Sequence, residues 1–261
     1  MNKYFIDEEA KKVDLFDQRF YPINGKDIFN VTGWLEGFPK GNGFNQFMKT
    51  TKDPDAVRDE AAQLGSEVHR LIELTLLGDT VKWQEGITKL EVWERYLGWC
   101  NFWYDLKTDP NKTLDLKKIK EIKIEEKFTE FVTYDLELNY AGTVDKMIKI
   151  IYEDNSYQFV ILDWKSGNNI YDTAYIQISA YAHSVMKQFK IKDLLGFIVQ
   201  VNPTLNKKGY RVYPVDVEGE FQYFLAAQLN YRRAFGEPKP KYRTYPTEVN
   251  LELINKIIEV K

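Results

Sequence analysis

Ala61, Leu64, Val68, Leu71, Ile72 and Leu76 recur every three or four positions, which lays one apolar stripe along a helix from about Asp55 to Leu77. Gly78-Asp79 supplies its stop signal. Residues 86–106 form a second helical stretch, dense in Trp93, Tyr96, Leu97, Trp99, Cys100, Phe102 and Trp103, and read as a helix packed through its rings. Thr108-Asp109-Pro110-Asn111 then breaks the chain. Beyond that break the period shortens. Ile122 to Val132 alternates, Tyr140 to Ile150 alternates around Gly142, and Tyr157 to Lys165 has the composition of a buried strand. Tyr175 to Phe189 returns to helical spacing, with Ile178, Ala182, Val185, Met186 and Phe189 on one face. Gly196–Val201 and Tyr210–Val217 read as strands joined through Asn206-Lys207-Lys208-Gly209, and a last helix covers about Glu218 to Phe235.

The flanks are less regular. Residues 1–35 alternate short apolar pieces with turn signals, and Asn24-Gly25 between Phe20-Tyr21 and Ile28-Phe29 is a hairpin signature. Residues 36–54 carry Gly37, Pro39, Gly41, Gly43 and Pro54 and are expected to be a loop. The tail holds Pro238, Pro240 and Pro246, followed by an amphipathic piece from Val249 to Val260. No internal repeat or low-complexity tract interrupts this plan. The order helix, three strands, helix, two strands, helix predicts an α/β fold, a central mixed β-sheet flanked by helices with an N-terminal helical elaboration. The 261 residues suit one domain: a hairpin and helical region over 1–110, a core over 111–235 and a tail over 236–261.

Composition narrows the class. Hydrophobic residues at 44% and charged residues at 29% are ordinary for a folded globular chain. A net charge of −3, with a pI near 5.7, argues against a purely electrostatic DNA binder. It leaves room for a metalloenzyme, whose carboxylates are offset locally by the bound cation. The aromatic content of 15% builds cores and is also compatible with base stacking on single strands. The single cysteine, Cys100, cannot form an internal disulfide, a zinc knuckle or an iron–sulfur cluster, so a reducing compartment is expected. No apolar run approaches the ~18 residues of a membrane span. The acidic opening, Met1 to Glu9, does not resemble a signal or transit peptide. A cytoplasmic protein with no membrane partner is the expectation.

Candidate chemistry centres on Ile161-Leu162-Asp163-Trp164-Lys165-Ser166-Gly167. Strand side chains alternate faces, so Asp163 and Lys165 point the same way while Leu162 and Trp164 point the other. The preceding strand carries Gly142-Thr143-Val144-Asp145; if the two strands pair as a hairpin, Asp145 lies beside Asp163. Two adjacent carboxylates repel unless a cation sits between them, and hard oxygen donors suit Mg²⁺ or Mn²⁺. Such an ion polarises a phosphate and acidifies water, and a neighbouring lysine can orient that water or neutralise growing charge. Taken alone, Asp-x-Lys on a strand is usually a surface ion pair. His69, in Gly65-Ser66-Glu67-Val68-His69 on the first long helix, could complete a carboxylate site, with Glu73 one turn on as a supporting group or a plain surface acid. Gln177 and Tyr181, four apart, share one helix face distinct from the Ile178/Ala182/Val185 stripe, and could contact phosphate or bases.

The ordered set is more specific than its parts. Gly65-x-x-x-His69 on an early helix, Gly142-x-x-Asp145 on a strand, Asp163-Trp164-Lys165-Ser166-Gly167 on the next, then Gln177-x-x-x-Tyr181 on a helix, resembles the PD-(D/E)xK nuclease superfamily. The likeness is closest to its RecB-like exonuclease branch, which includes phage exonucleases and a mitochondrial genome-maintenance exonuclease. It spans about residues 60–185, with a weaker likeness over Ile28 to Leu35. The resemblance implies a restriction-endonuclease-like core and a Mg²⁺- or Mn²⁺-dependent deoxyribonuclease without an iron–sulfur cluster. It implies metal ligation by His69, Asp145, Asp163 and the main-chain carbonyl of Trp164, and catalysis through Asp145, Asp163 and Lys165. Gln177, Tyr181, Ser166 and Glu126 would support the site and the DNA, with Glu125 an equal alternative to Glu126. The implied partners are DNA, single strands included, and single-strand-binding or recombination proteins in a bacterial or phage-infected cell. A structure-specific endonuclease and a non-catalytic DNA-binding module are the competing readings. The aromatic stretch Trp93–Tyr104 could line a DNA-threading arch, although core packing explains it better.

Overall fold

The computed structural model describes residues 13–15 and 18–240. Met1 to Glu9, Pro246 and the piece over Val249–Val260 lie outside the described residues. The described residues begin with a three-stranded antiparallel sheet, β1 (Val13–Leu15), β2 (Gln18–Ile23) and β3 (Lys26–Phe29). The β2–β3 turn is the expected Asn24-Gly25, and both residues take positive φ (51° and 74°), as a tight twisted hairpin requires. A single helical turn, α1 (Val31–Trp34), follows, capped by Asn30, whose Oδ1 accepts from Gly33 N at 2.7 Å.

The expected loop over 36–54 contains a helix instead, α2 (Asn42–Thr50). Gly41 takes the extended N-cap conformation, and Phe44, Phe47 and Met48 recur at helical spacing behind the glycines that suggested a loop. None of its residues is buried, so no core contact announced it. The predicted long helix is α3 (Pro54–Leu76), started by Asp53 Oδ1 accepting from Ala56 N at 3.0 Å and by Pro54 in its first turn. It is followed by α4 (Leu90–Thr108) and the short α5 (Pro110–Thr113).

The main sheet has five strands in the order β4 (Ile119–Asp135), β5 (Tyr140–Tyr152), β6 (Tyr157–Lys165), β7 (Leu194–Val201), β8 (Tyr210–Val215). All neighbours are antiparallel except β6 and β7, whose parallel pairing is made possible by the crossover helix α6 (Asp172–Phe189). The last helix among the described residues is α7 (Val217–Phe235). The fold is therefore α/β, a mixed sheet flanked by helices.

Strand alternation sorts the core into two layers. On one face of β6, Val160, Leu162 and Trp164 pack against Val68 and Ile72 of α3 and Trp99 and Phe102 of α4. Trp164 meets the rings of Trp99 and Phe102 edge-on at 6.0 and 5.9 Å, so much of the aromatic stretch Trp93–Tyr104 is core. On the other face, Ile161 packs with Val144 and Met147 of β5, with α6 and α7, and with Phe20, Phe29 and Trp34 from the N-terminal hairpin and α1. Helix α6 is buried nearly all round: Tyr181, expected on a polar face apart from the apolar stripe, is only 5% exposed and packs in the same layer as Ala182 and Val185. Among the described residues no helix is long and apolar enough to cross a membrane.

Candidate metal centre

The β5–β6 ladder pairs Lys146 with Leu162, so the next facing positions are Asp145 and Asp163. Their juxtaposition is the one expected from hairpin pairing. Strand β4 adds a third carboxylate. Its ladder with β5 runs Ile124↔Ile148, breaks, and resumes at Thr129↔Lys146 and Phe131↔Val144, which sets Glu130 across from Asp145. Glu130 itself has φ 47°, a left-handed conformation uncommon for a residue with a side chain. Glu130, Asp145 and Asp163 thus occupy facing positions on three adjacent strands.

Helix α3 brings His69 to this row. Donor atoms of His69, Glu130 and Asp145 all lie within 4.8 Å of one another, a spacing that one divalent cation can bridge. His69 Nε2 is 2.9 Å from Trp164 O, and Nδ1 is 3.6 Å from Asp145 Oδ1. If Nε2–H donates to that carbonyl, the Nδ1 lone pair faces the carboxylates, and the main-chain bond orients the ring as a metal ligand needs. The Trp164 carbonyl is thereby engaged by His69. The Trp164 N–H donates to Asp145 Oδ2 at 2.7 Å, tying the carboxylate to the neighbouring strand. Gly65, one turn before His69, lets α3 pass close to the loop after β6: a Cβ there would stand 3.3 Å from Ser166 Oγ.

Burial sets the electrostatics. Asp145 is 6% exposed, and burial pushes its carboxyl up to about 6. Neighbouring Asp163 adds to the rise, while His69, Lys165 and the Trp164 N–H oppose it. Asp163 is 1% exposed. Its Oδ2 is 2.6 Å from Lys165 Nζ, a close buried ion pair. Burial works against the Lys165 ammonium, but the Asp163 and Asp145 carboxylates outweigh it and hold its pKa above the ordinary lysine value. Lys165 therefore keeps its proton and acts as a hydrogen-bond donor.

A chain of side chains holds Lys165 in place. Its Nζ donates to Gln177 Oε1 at 3.0 Å, and Gln177 Nε2 donates to Tyr181 Oη at 2.7 Å. Burial raises the Tyr181 phenol well above its usual range, so it remains neutral. Gly142 makes room for that ring: a Cβ at this position would lie 2.2 Å from Tyr181 Cε1. The Gly-x-x-Asp pattern thus combines a seat for Tyr181 with a candidate ligand. The loop beyond Lys165 is held by Arg95 Nε donating to Ser166 O at 2.9 Å and by Gln200 Nε2 donating to Gly167 O at 2.8 Å. Neither Arg95 nor Gln200 was singled out by motif, since both act through main-chain carbonyls.

The expected residues are therefore distributed as follows. His69 and Asp145 share the donor cluster, and Asp163, Lys165, Gln177 and Tyr181 form the adjoining polar chain. Asp163 is outside the donor cluster, and Glu130, which belongs to none of the sequence motifs, is inside it. Glu126 is exposed and outside the cluster; Glu125, also exposed, pairs with Lys127 at 2.8 Å. Glu73 is likewise outside it. No protein-family model matches the chain, and no curated protein matches it.

Proposed function

We propose that the chain is a Mg²⁺- or Mn²⁺-dependent deoxyribonuclease, acting as an exonuclease in DNA recombination, repair or replication. The observation that carries the reading is the row Glu130–Asp145–Asp163 across three strands, closed by His69 at one side and Lys165 at the other. Three buried or half-buried acids in a row would repel strongly without a cation, and the donors suit a hard divalent ion. His69, Glu130 and Asp145 would hold that ion, with Asp163, paired to Lys165, beside it. The bound ion would polarise the scissile phosphate and acidify a water molecule. Lys165, kept protonated and aimed by Gln177, donates to the attacking water or to a phosphate oxygen as charge builds there. The order and spacing of these residues, similar to those of RecB-like nucleases, support DNA as the substrate.

End-labelled single- and double-stranded DNA incubated with Mg²⁺ or Mn²⁺ tests the proposal. Cleavage is expected from the intact protein and is expected to vanish with chelator, in Asp163→Ala and in Lys165→Ala. Unchanged cutting by either variant would remove the site assignment. A covalently closed single-stranded circle should survive an exonuclease; its cleavage would favour an endonuclease. DNA binding without metal and without any cleavage would favour a binding module.

A further inference from the structure

Lys146 is a lysine with 0% exposure, on the face of β5 opposite Asp145. Its Nζ donates to Glu125 O at 2.8 Å and to Thr129 Oγ1 at 2.6 Å. Those two acceptors bracket the irregularity in β4. Had the pairing set by Ile124↔Ile148 continued, Glu126 would face Lys146 and Lys127 would face Asp145. Three extra residues are accommodated between Ile124 and Thr129, so that Thr129 faces Lys146 and Glu130 faces Asp145. The bulge therefore exchanges a cation for a carboxylate beside the candidate metal ligand. Bulges re-aim side chains in this way, and β4 through this stretch is largely polar and exposed, the kind of strand whose register is weakly specified unless something pins it.

We infer that Lys146 is the pin: its ammonium clips the neck of the β4 bulge and so positions Glu130, in its left-handed conformation, as a ligand of the metal centre. The inference rests on the metal reading above. Both hydrogen-bond acceptors of this ammonium belong to the bulge, and so do the Glu126 and Glu125 carboxylates that attract it. The alternative register would put the Lys127 ammonium next to His69 and Asp145, where it would compete with a cation. Lys146 thus acts through Glu130 as a positioning residue; its side chain does not face the site.

The test is Mn²⁺ affinity, measured by calorimetry without DNA, for the full chain and for Glu130→Gln, Lys146→Met, Thr129→Val and the Glu130→Gln/Lys146→Met double variant. Groups that orient a ligand typically contribute about 10- to 100-fold in metal affinity. Lys146→Met is expected to weaken Mn²⁺ by about that factor, Thr129→Val by less, and the double variant no more than Glu130→Gln alone. Equal affinity of Lys146→Met and the unaltered protein, or losses that multiply in the double variant, would overturn the inference. If Lys146→Met does not fold, Thr129→Val decides: it keeps the ammonium buried and removes one of the two clips, and unaltered Mn²⁺ binding would count against the pin. Unaltered binding by Glu130→Gln would instead overturn the metal reading of the cluster itself, which separates the two failures.

Discussion

Asp145→Asn is expected to stabilise the metal-free protein at neutral pH while removing its affinity for the cation. The carboxyl is buried and its pKa is lifted from an ordinary 3.8 to about 6. A group raised on folding contributes its full stability below the unfolded value and loses it as pH rises through the folded one. The loss thus accrues from about pH 4 through pH 6 and is complete by pH 8. Each pH unit between the two values is worth about 1.4 kcal/mol, so ionised Asp145 costs the fold about 3 kcal/mol at most. Asparagine is uncharged and retains an oxygen that can accept the Trp164 N–H, now 2.7 Å from Asp145 Oδ2. With roughly 2–4 °C per kcal/mol in a chain of this size, Tm in chelator at pH 8 should rise by up to about 6–12 °C, and the gain should fade by pH 4. Saturating Mn²⁺ should reverse the ranking. A ligand at about 1,000 times its Kd adds about 4.1 kcal/mol to whatever binds it, more than the roughly 3 kcal/mol at stake, and only the unaltered protein should gain. Paired melts of the two proteins at pH 4, 6 and 8, with chelator and with Mn²⁺, carry the whole comparison. A variant no more stable than the parent at pH 8 in chelator would refute the reasoning, as would equal stabilisation of both by Mn²⁺.

Lys165→Met should lower cleavage of a labelled strand at saturating Mg²⁺ by about 100- to 1,000-fold, the usual loss for one aimed donor; a smaller effect than tenfold would remove Lys165 from the chemistry. Gly142→Ala should cost roughly 1–3 kcal/mol through overpacking, because its Cβ would stand 2.2 Å from the Tyr181 ring. Adding Tyr181→Leu should recover Tm but not activity, and thermal melts beside cleavage assays would separate the two. Gly98→Ala puts a better helix former into α4, worth about 1 kcal/mol in an exposed helix, yet its Cβ would lie 2.4 Å from Gly209 O. Tm should fall, and a rise would mean that α4 and the β7–β8 turn do not approach so closely.

Much of the layout was legible in the pattern of the chain. Tyr157–Lys165 is the strand expected, because a run buried on both faces and flanked by turns leaves few alternatives. The hairpin at Asn24-Gly25 and the facing of Asp145 and Asp163 follow from turn chemistry and antiparallel pairing. What escaped lies where local signals conflict or are missing. Helix α2 buries nothing, so its Phe44, Phe47 and Met48 spacing was outweighed by the neighbouring glycines. Helix α6 is covered by the sheet on one side and α7 on another, so no polar face distinguished Tyr181 from the apolar stripe. Glu130 was hidden by the bulge. A regular continuation of the first register would set Lys127 across from Asp145, whereas the three accommodated residues move the facing position onward to Glu130. A register change has no composition signature of its own; only the buried Lys146 marks it.

The packing of the β2–β3 hairpin and α1 against α7 has a consequence for how the chain reaches this fold. Phe29 and Trp34 are in ring contact with Tyr231 at 5.4 and 5.2 Å, and the Arg232 guanidinium lies 4.5 Å over the Trp34 ring. These partners are about 200 residues apart in sequence, and contacts of such separation slow folding because the loop between them must close first. During synthesis at ~5–20 residues per second, the rings of Phe29 and Trp34 would wait on the order of 10–40 s for Tyr231 to be made. For that interval the apolar layer beneath α6 has no lid, and a nascent chain would expose it to whatever chaperones or neighbours are at hand.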